Sequence, residues 1–246
     1  MRRGWRGADG SALRSIVMFA LLVSAALAAP IVHGERLEWA VSWMGIDAGS
    51  AWSTTSESGP AWIFEAGARS AGWLVSLYPI DDLLRSEWTA GLGSARYFTR
   101  FREGRFQQDQ DNRFGADAVV VSRTQLRDEV WQPSESRYAA APGVEDPVSA
   151  FYRIREEAGP VGERTRWTVW TGKNAIPMIV HTAAAEAYAG QAALRVEVLA
   201  DHDTDDVEPK LTVWLTDDAA RVPLAAVLHT RAGAVKATLV ERTVGG

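Results

Sequence analysis

Apolar and polar side chains alternate along most of this chain. The alternation is clearest in Glu35–Met44, because Leu37, Trp39 and Val41 fall on one face and charged or small residues fall on the other. A period of two residues places successive side chains on opposite faces of an extended strand. Comparable segments recur at intervals of roughly 8 to 14 residues, with short stretches rich in Gly, Pro, Asn and Asp between them. The pattern predicts roughly 13 strands joined as antiparallel hairpins.

Three segments interrupt the alternation. Residues 45–49 are predicted to form the turn between the first two strands. The bulky run at residues 73–77, followed by a turn that contains proline, predicts a short helix or a crossing loop. Residues 134–143 are polar, with a proline near each end, and this composition predicts a surface connection.

One stretch, DPVSAFYRIREEAG at residues 146–159, carries a complete set of helix signals. Asp146 supplies a carboxylate for the free N–H groups of the first turn, and Pro147 occupies a position where its missing N–H costs nothing. At the other end, Gly159 can adopt the left-handed conformation that ends a helix, and Pro160 cannot continue one. We therefore predict a helix over Pro147–Ala158.

This helix has one apolar face. Val148, Phe151, Tyr152 and Arg155 recur at the spacing of a single helical face, and the charged residues around them point elsewhere. Such a face needs a sheet to pack on. We therefore expect an all-β fold, a strongly curved antiparallel sheet forming a half-barrel or open barrel, with one amphipathic helix packed on or in its mouth. Residues 30–246 are expected to form a single β-rich domain.

The first 29 residues differ in composition from the rest. Four arginines precede the apolar run IVMFALLVSAALA at residues 16–28. A membrane-spanning helix needs about 20 apolar residues, and this run is shorter. Ala26 and Ala28 form the small-x-small pattern of a signal peptidase site. We predict a cleaved signal peptide at residues 1–29, cut after Ala28 or Ala29, and a periplasmic location. An uncleaved anchor is the alternative.

The net charge and the absence of cysteine argue against several classes of function. The chain has 26 Lys and Arg, 31 Asp and Glu, a formal net charge of −5 and no Cys. Loss of the leader would remove four arginines and one aspartate, which makes the net charge more negative. An acidic chain whose arginines are interleaved with acids is not expected to bind nucleic acid. The absence of cysteine excludes disulfides and the acylation of bacterial lipoproteins, so no membrane anchor is expected after processing.

Several short motifs, taken in order, resemble a known family. They are Leu37-Glu38-Trp39 with Gly45-Ile46 and Gly49; Gly72-Trp73 with Leu77-Tyr78-Pro79-Ile80-Asp81-Asp82; Asp146-Pro147-Val148-Ser149-Ala150 with Arg153; Gly172-Lys173; and Trp214-Leu215-Thr216-Asp217-Asp218 with Arg221-Val222-Pro223. In this order they are similar to the exported bacterial proteins grouped as Domain of Unknown Function 3108. The resemblance implies a secreted or periplasmic β-rich protein without an assigned activity, and it transfers no catalytic residue.

One run has part of the pattern of a calcium loop. Asp201, Asp203 and Asp205 place carboxylates at every second residue, but Asp206 stands where the loop needs glycine and Thr212 where it needs glutamate. The ordinary interpretation is a solvated hairpin tip whose acids cap the turn. We therefore predict no metal site.

Catalytic motifs are missing from the sequence. His33, His181 and His229 are isolated, with neither the spacing of a zinc site nor a neighbouring serine in a nucleophile elbow. No glycine-rich stretch has the full pattern of a phosphate-binding loop. We predict no catalytic residue, no cofactor and no enzyme activity.

Tryptophan is unusually abundant in this chain, which has 11 Trp. Alternating aromatic residues ordinarily form core, yet a large curved sheet around one helix leaves room for a ligand. An error of one residue in a strand would turn its candidate outward. The predicted ligand-lining residues are the large ones in elements expected to face inward: Trp88, Phe101, Phe151, Trp167 and Trp214.

These observations favour binding over catalysis. We expect a periplasmic, non-catalytic binding or carrier protein that holds a lipid or glycolipid moiety in the sheet concavity during envelope assembly, together with an envelope protein partner. A looser resemblance to the open half-barrels that ferry lipoproteins across the periplasm suggests the same. The alternatives are a carbohydrate-binding protein that uses exposed tryptophans, an enzyme with a discontinuous site, and a scaffold that pairs through a sheet edge.

Overall fold

The computed structural model describes residues 31–201, 210–230 and 232–245, and the predicted signal peptide therefore lies outside the described residues. The helices are α1 (Gly72–Val75) and α2 (Pro147–Glu157). The strands are β1 (Glu35–Trp43), β2 (Ile46–Ser58), β3 (Ala61–Ser70), β4 (Asp81–Thr89), β5 (Gly93–Glu103), β6 (Phe106–Phe114), β7 (Ala118–Arg127), β8 (Val130–Ala139), β9 (Arg164–Trp170), β10 (Ala175–Tyr188), β11 (Gln191–Ala200), β12 (Leu211–Thr216), β13 (Pro223–Thr230) and β14 (Gly233–Val244).

The strands join in one antiparallel sheet, which confirms the predicted fold class. Within the described residues the sheet has 14 strands in the order β8-β7-β6-β5-β4-β3-β2-β1-β14-β13-β12-β11-β10-β9. Pairing of β1 with β14 joins two meanders at the centre, so β8 and β9 are the outer edges and the sheet is not closed between them. Because α2 lies in the connection from β8 to β9, the chain must carry this helix from one edge of the curved sheet to the other.

The segment that precedes α2 partly bridges the gap between the two sides of the open sheet. Glu145 pairs in parallel with Val169 of β9, and the N–H of Ser94 in β5 donates to the carbonyl of Val144 at 3.3 Å. Gly93 makes this approach feasible: its φ is +81°, and a Cβ there would lie 3.1 Å from the Val144 carbonyl. A short extended segment therefore lies between β5 and β9.

Trp170 shows that the ends of the sheet overlap. Alternation along β9 turns Trp170 to the face opposite Trp167, yet Trp170 has no exposed surface. The indole donates to Asn112 Oδ1 at 3.0 Å, and its ring centroid lies 5.5 Å from that of Tyr138 in β8. The far end of the sheet therefore covers the outer face of β9, so the body is a curled open barrel.

Two local predictions are wrong. Residues 134–143 were expected to be a surface connection, but β8 continues to Ala139, with Pro133 inside it. Proline and exposed polar side chains are tolerated there because β8 is an edge strand. The turn expected at residues 45–49 consists of Met44 and Gly45 alone, both with positive φ, and β2 begins at once.

The predicted helix is confirmed at its start and on its apolar face. Asp146 accepts from the N–H groups of Val148 and Ser149, and Pro147 opens the helix. At the other end the helix stops because Ala158 is extended, whereas Gly159 does not adopt the left-handed conformation expected of it. The short helix or crossing loop expected at residues 73–77 is α1.

Most of the concave side is filled by side chains. The main core gathers inward residues of the central strands, including Leu37, Trp39 and Phe64, around α2. The ring of Tyr152 stacks on Phe64 with the centroids 3.4 Å apart. Among the described residues, neither helix combines the length and the apolar character needed to cross a membrane.

Candidate functional site

The first turn of α2 is anchored in a buried polar cluster. Asp146 Oδ2 accepts hydrogen bonds from the hydroxyls of Ser86 in β4 at 2.5 Å and Ser94 in β5 at 2.8 Å. Ser149 donates to the carboxylate of Glu145 at 2.7 Å. Burial raises the pKa of Asp146 and of Glu145, and these hydrogen bonds oppose the shift. Because the cluster is shut off from solvent, it positions the helix and offers no surface to a ligand.

The last turn of α2 is anchored by a buried ion pair. Arg155 donates to Glu35 at the start of β1 and, at 3.1 Å, to the carbonyl of Ala220 between β12 and β13. Glu35 also accepts from Arg242 of β14. Burial lowers the pKa of Arg155 to about 9, and the carboxylate of Glu35 opposes that change. Both ends of the helix are therefore fixed to the sheet, and its position relative to β9–β13 is set.

An apolar cavity of about 160 Å³ lies between α2 and strands β9–β13. Its only polar lining residues among those described are Thr171 and Lys210, and Lys210 is exposed at its margin. We call this space the apolar cavity. It is lined by Pro147, Ala150, Phe151, Ile154, Trp167, Val169, Thr171, Met178, Val180, Val198, Lys210, Leu211 and Leu228.

Strand alternation accounts for the wall of the apolar cavity. Met178 and Val180 are two residues apart on β10, and Trp167 and Val169 are two apart on β9, so each pair shares a face. Trp167 is held at the edge and over one face of its ring: its indole donates to Glu157 Oε2 at 2.9 Å, and the guanidinium of Arg153 lies 4.7 Å from the ring centroid. The wall opposite the helix is therefore a preformed apolar surface.

A second space, which we call the polar chamber, adjoins the apolar cavity and shares Pro147 and Thr171 with it. Its volume is about 480 Å³. It lies between the inner face of β5–β7 and the turn from β9 to β10. It is lined by Tyr97, Thr99, Phe101, Phe106, Gln108, Gln110, Arg123, Gln125, Arg127, Pro147, Thr171, Gly172, Lys173 and Asn174.

Hydrogen bonds between amide side chains organise the polar chamber. Gln110, which is buried, accepts from Arg123 Nε at 2.9 Å and donates to Asn112 Oδ1 at 2.9 Å. Asn112 in turn donates to the carbonyl of Tyr97 at 2.8 Å. The turn at Gly172, with φ of +90°, lies so close that a Cβ there would be 3.3 Å from Gln110 Nε2. The chamber floor is therefore a fixed polar surface.

Four of the five predicted lining residues lie on the inner side, at different places. Phe151 and Trp167 line the apolar cavity. Phe101 lines the polar chamber instead. Trp88 is packed into the core, with its ring centroid 6.1 Å from that of Phe64, and it lines neither space. The structure thus brings together two of these residues, Phe151 and Trp167, in one cavity.

The predicted inward orientation of Trp214 is wrong. Val213 and Leu215 on either side of it are fully buried in the core, so Trp214 is on the opposite face of β12. There it donates to Glu186 at 2.6 Å and packs against Tyr188, with the ring centroids 5.0 Å apart. Trp214 therefore contributes to the outer surface.

Sequence reasoning missed most of the wall because it favoured aromatic residues. Met178, Val198 and Leu228 are aliphatic, and the only sequence signal for them is regular alternation in the strands after the helix. The polar chamber was also missed. Its signal is that Gln108 and Gln110 stand two residues apart in β6, where an inward face is ordinarily apolar.

The calcium-like run lies mostly outside the described residues. Of the calcium-like run, Asp203 and Asp205 lie outside the described residues, and Asp201 pairs with Arg166 at 3.0 Å. Within the described ranges, no group of three or more His, Asp or Glu residues is arranged to hold a metal ion. The exposed tryptophans there are Trp73 and Trp131, on α1 and β8, and no ring contact joins them.

Comparison with known proteins supports the family resemblance. The family model described as "Protein of unknown function (DUF3108)" matches residues 38–240. No curated protein sequence matches the chain. Among solved structures, a similar one is the crystal structure of a β-barrel-like protein of Domain of Unknown Function DUF1849 from Brucella abortus, with a TM-score of 0.58 and 12% identity over 87% of this chain and 99% of that one. At this identity the likeness concerns the fold alone.

Proposed function

This chain belongs to the protein family of unknown function DUF3108, and we propose that it is a non-catalytic binding or carrier protein that holds an apolar moiety of a lipid-like or glycolipid molecule between α2 and the sheet. The observation that carries the proposal is the apolar cavity, which is walled by α2 and β9–β13. Binding sites for small molecules are typically concave and mostly apolar, with few polar groups.

The volume of the cavity limits what it holds. An apolar cavity of about 150 Å³ has room for one benzene molecule, and this one measures about 160 Å³. It therefore accommodates about six carbon atoms, the end of an acyl chain and not its whole length. Each methylene transferred from water contributes about 0.8 kcal/mol, which corresponds to an affinity gain of about fourfold.

A series of straight-chain alcohols tests this proposal. By isothermal titration calorimetry, affinity should increase about fourfold per methylene up to about six carbons and then level off. Ala150→Leu, which puts a larger side chain into the cavity, should abolish binding. Ala187→Leu, on an exposed part of β10, adds the same atoms elsewhere and should leave binding unchanged. Affinity that does not depend on chain length, or that survives Ala150→Leu, would reject the proposal.

We also propose that the protein acts in the periplasm once its signal peptide has been cut after Ala28 or Ala29. Support comes from the leader composition alone, with its arginines followed by a short apolar run and small residues. Expression of the full chain in a bacterium, fractionation and intact-mass measurement test this. The expected product is a periplasmic chain that begins at Ala29 or Pro30. Recovery of the full-length chain in the cytoplasm or the membrane would contradict it.

A further inference from the structure

We propose that the polar chamber binds an oxyanion, the phosphate or carboxylate head group of an amphiphile whose apolar end occupies the adjoining apolar cavity. This inference rests on the proposed function, because it assigns the second half of the same ligand. The two spaces share Pro147 and Thr171 in their linings, so one molecule can occupy both. Their combined size falls in the range of about 300–1,000 Å³ that is typical of small-molecule sites.

The charge of the lining residues favours an anion. Arg123, Arg127 and Lys173 line the polar chamber, and no Asp or Glu is among its described lining residues. Over the whole chain the acids outnumber the bases, with 31 Asp and Glu against 26 Lys and Arg. A cationic chamber in an acidic protein is therefore a local feature, and it attracts anions that the remaining surface repels.

The three cations are also free to act on a ligand. Nearby Arg102 is neutralised by Asp109 at 2.7 Å, and Arg96 by Asp111 at 2.7 Å. Within the part of the chain that the structure describes, none of the chamber cations forms such an ion pair. Their guanidinium and ammonium donors have no carboxylate to displace before a phosphate or carboxylate binds.

The two arginines donate hydrogen bonds to neutral groups. Arg123 and Arg127 share a face of β7, two strand periods apart. Arg123 Nε donates to Gln110 at 2.9 Å, and Arg127 donates to Gln125 through Nε at 3.2 Å and through a terminal nitrogen at 3.0 Å. Each guanidinium is thereby oriented without loss of its charge. Guanidinium groups suit phosphate and carboxylate oxygens, which accept paired N–H donors.

The opposite wall comes from the turn between β9 and β10. Lys173 is exposed on this turn, next to Gly172, whose backbone lies against Gln110. Cations therefore approach the chamber from two separate elements. Since the apolar cavity begins at Pro147 and Thr171, the chain of an amphiphile enters the cavity there while its head group stays among the cations.

Three ligands, each kept below its micelle concentration, test the inference by calorimetry: n-octyl phosphate, uncharged n-octyl glucoside and inorganic phosphate. Octyl phosphate should bind at least about tenfold more tightly than octyl glucoside, a difference that one or two charge-assisted hydrogen bonds supply. Inorganic phosphate should bind at least about a hundredfold more weakly than octyl phosphate, because it lacks the chain. Added salt should weaken octyl phosphate binding and leave octyl glucoside binding unchanged.

Variants assign the effect to the chamber. Arg123→Gln/Arg127→Gln/Lys173→Gln should reduce octyl phosphate affinity to that of octyl glucoside while octyl glucoside affinity stays as in the wild type. Arg69→Gln/Arg85→Gln/Arg137→Gln removes the same charge from the outer surface and should leave both affinities nearly unchanged. Because each variant is judged by the ratio of two affinities, a fold defect that lowers both is not mistaken for loss of anion recognition.

The outcomes separate the two proposals. Equal affinity for octyl phosphate and octyl glucoside would overturn the oxyanion site and leave the apolar cavity intact. Inorganic phosphate that binds as tightly as octyl phosphate would show an anion site independent of the chain, and this too would overturn the amphiphile. If neither octyl compound nor any alcohol binds, the proposed function fails together with this inference.

Discussion

Arg155 donates to Glu35 at 3.3 Å, and neither side chain has any exposed surface. The pair joins the last turn of α2 to the first residue of β1, 120 residues earlier in the chain. Removing two charges from water costs free energy, and this cost is offset only when hydrogen-bonding partners surround both charges. Arg242 and the carbonyl of Ala220 supply those partners. This relationship holds the helix against the sheet, and the apolar cavity depends on it.

Removal of Arg155 should destabilise the fold. Arg155→Met leaves Glu35 buried with Arg242 alone, so the free energy of unfolding should decrease by about 3 kcal/mol. Glu35→Gln/Arg155→Met should recover part of that loss, because a neutral amide then replaces the buried carboxylate that has lost Arg155. Urea denaturation followed by circular dichroism measures both. Arg85→Met, at an exposed pair, is the control with an expected loss under about 1 kcal/mol. A loss for Arg155→Met no larger than this control would contradict the role of the pair.

The cap of α2 should also be costly to remove. Asp146→Ala deletes two bonds to the first turn and leaves the hydroxyls of Ser86 and Ser94 without their carboxylate acceptor. We expect a decrease in unfolding free energy of about 3 kcal/mol, the sum of a lost cap and buried hydroxyls without that partner. Asp117→Ala, at an exposed position, should change the unfolding free energy by less than about 0.5 kcal/mol. Equal stability of the two variants would show that the cap is dispensable.

Asp82 should make stability depend on pH. It is buried at the start of β4, where Asp82 Oδ1 accepts from the N–H of Arg102 at 2.6 Å. Burial raises the pKa of Asp82 to about 7, while hydrogen bonds from Arg102 and with Glu103 oppose the shift. The folded protein therefore holds a proton on Asp82 at pH values where the unfolded chain has released it. That contribution to stability is complete below about pH 4 and is lost as the pH rises to about 7.

The variant Asp82→Asn tests this assignment, because an amide cannot ionise. The difference in unfolding free energy between Asp82→Asn and the wild type should shift in favour of the variant by about 4 kcal/mol between pH 4 and pH 8. Denaturant titrations at several pH values measure the difference. Asp117→Asn, in the connection between β6 and β7 where the side chain is exposed, is the matched control. A difference that is constant with pH would mean that Asp82 is ionised throughout.

Gly67 should not tolerate a side chain. It pairs with Trp52 across β2 and β3, and a Cβ at Gly67 would lie 2.6 Å from the indole nitrogen. Gly67→Ala should therefore decrease the unfolding free energy by about 1 to 2 kcal/mol, although alanine ordinarily suits a strand better. Gly72→Ala, where a Cβ meets nothing within 4 Å, is the control and should be neutral or slightly stabilising. If Trp52→Ala does not relieve the cost at Gly67, the packing explanation is wrong.

Most of the secondary structure could be predicted because the signals are local. The alternation in β1 and β3 involves residues within a few positions of one another, and so does the cap of α2. Both features can therefore be recognised without the tertiary structure. Residues 134–139 of β8 were not predicted as strand because their side chains are mostly exposed. An edge strand that buries little apolar surface has no alternation to detect.

The site was less predictable because its parts come from distant positions in the chain. Phe151 and Trp167 were identified by size, but Leu228 and Val198 reach the same cavity only after four hairpins have folded. Trp214 shows the limit of this reasoning, since displacement by one residue reverses the face of a strand. Gln110 and Arg123 become neighbours only through the register of β6 and β7.

The sequence by itself determined that the chain forms a meander of antiparallel strands with one capped helix, because each of those elements depends on neighbouring residues. Tertiary structure decided that β1 pairs with β14, that the segment before α2 bridges β5 and β9, and that an apolar cavity adjoins a cationic chamber. The reason is physical. The curvature of the sheet and the pairing of distant strands depend on packing across all the strands together, and the local alternation of side chains does not specify that packing.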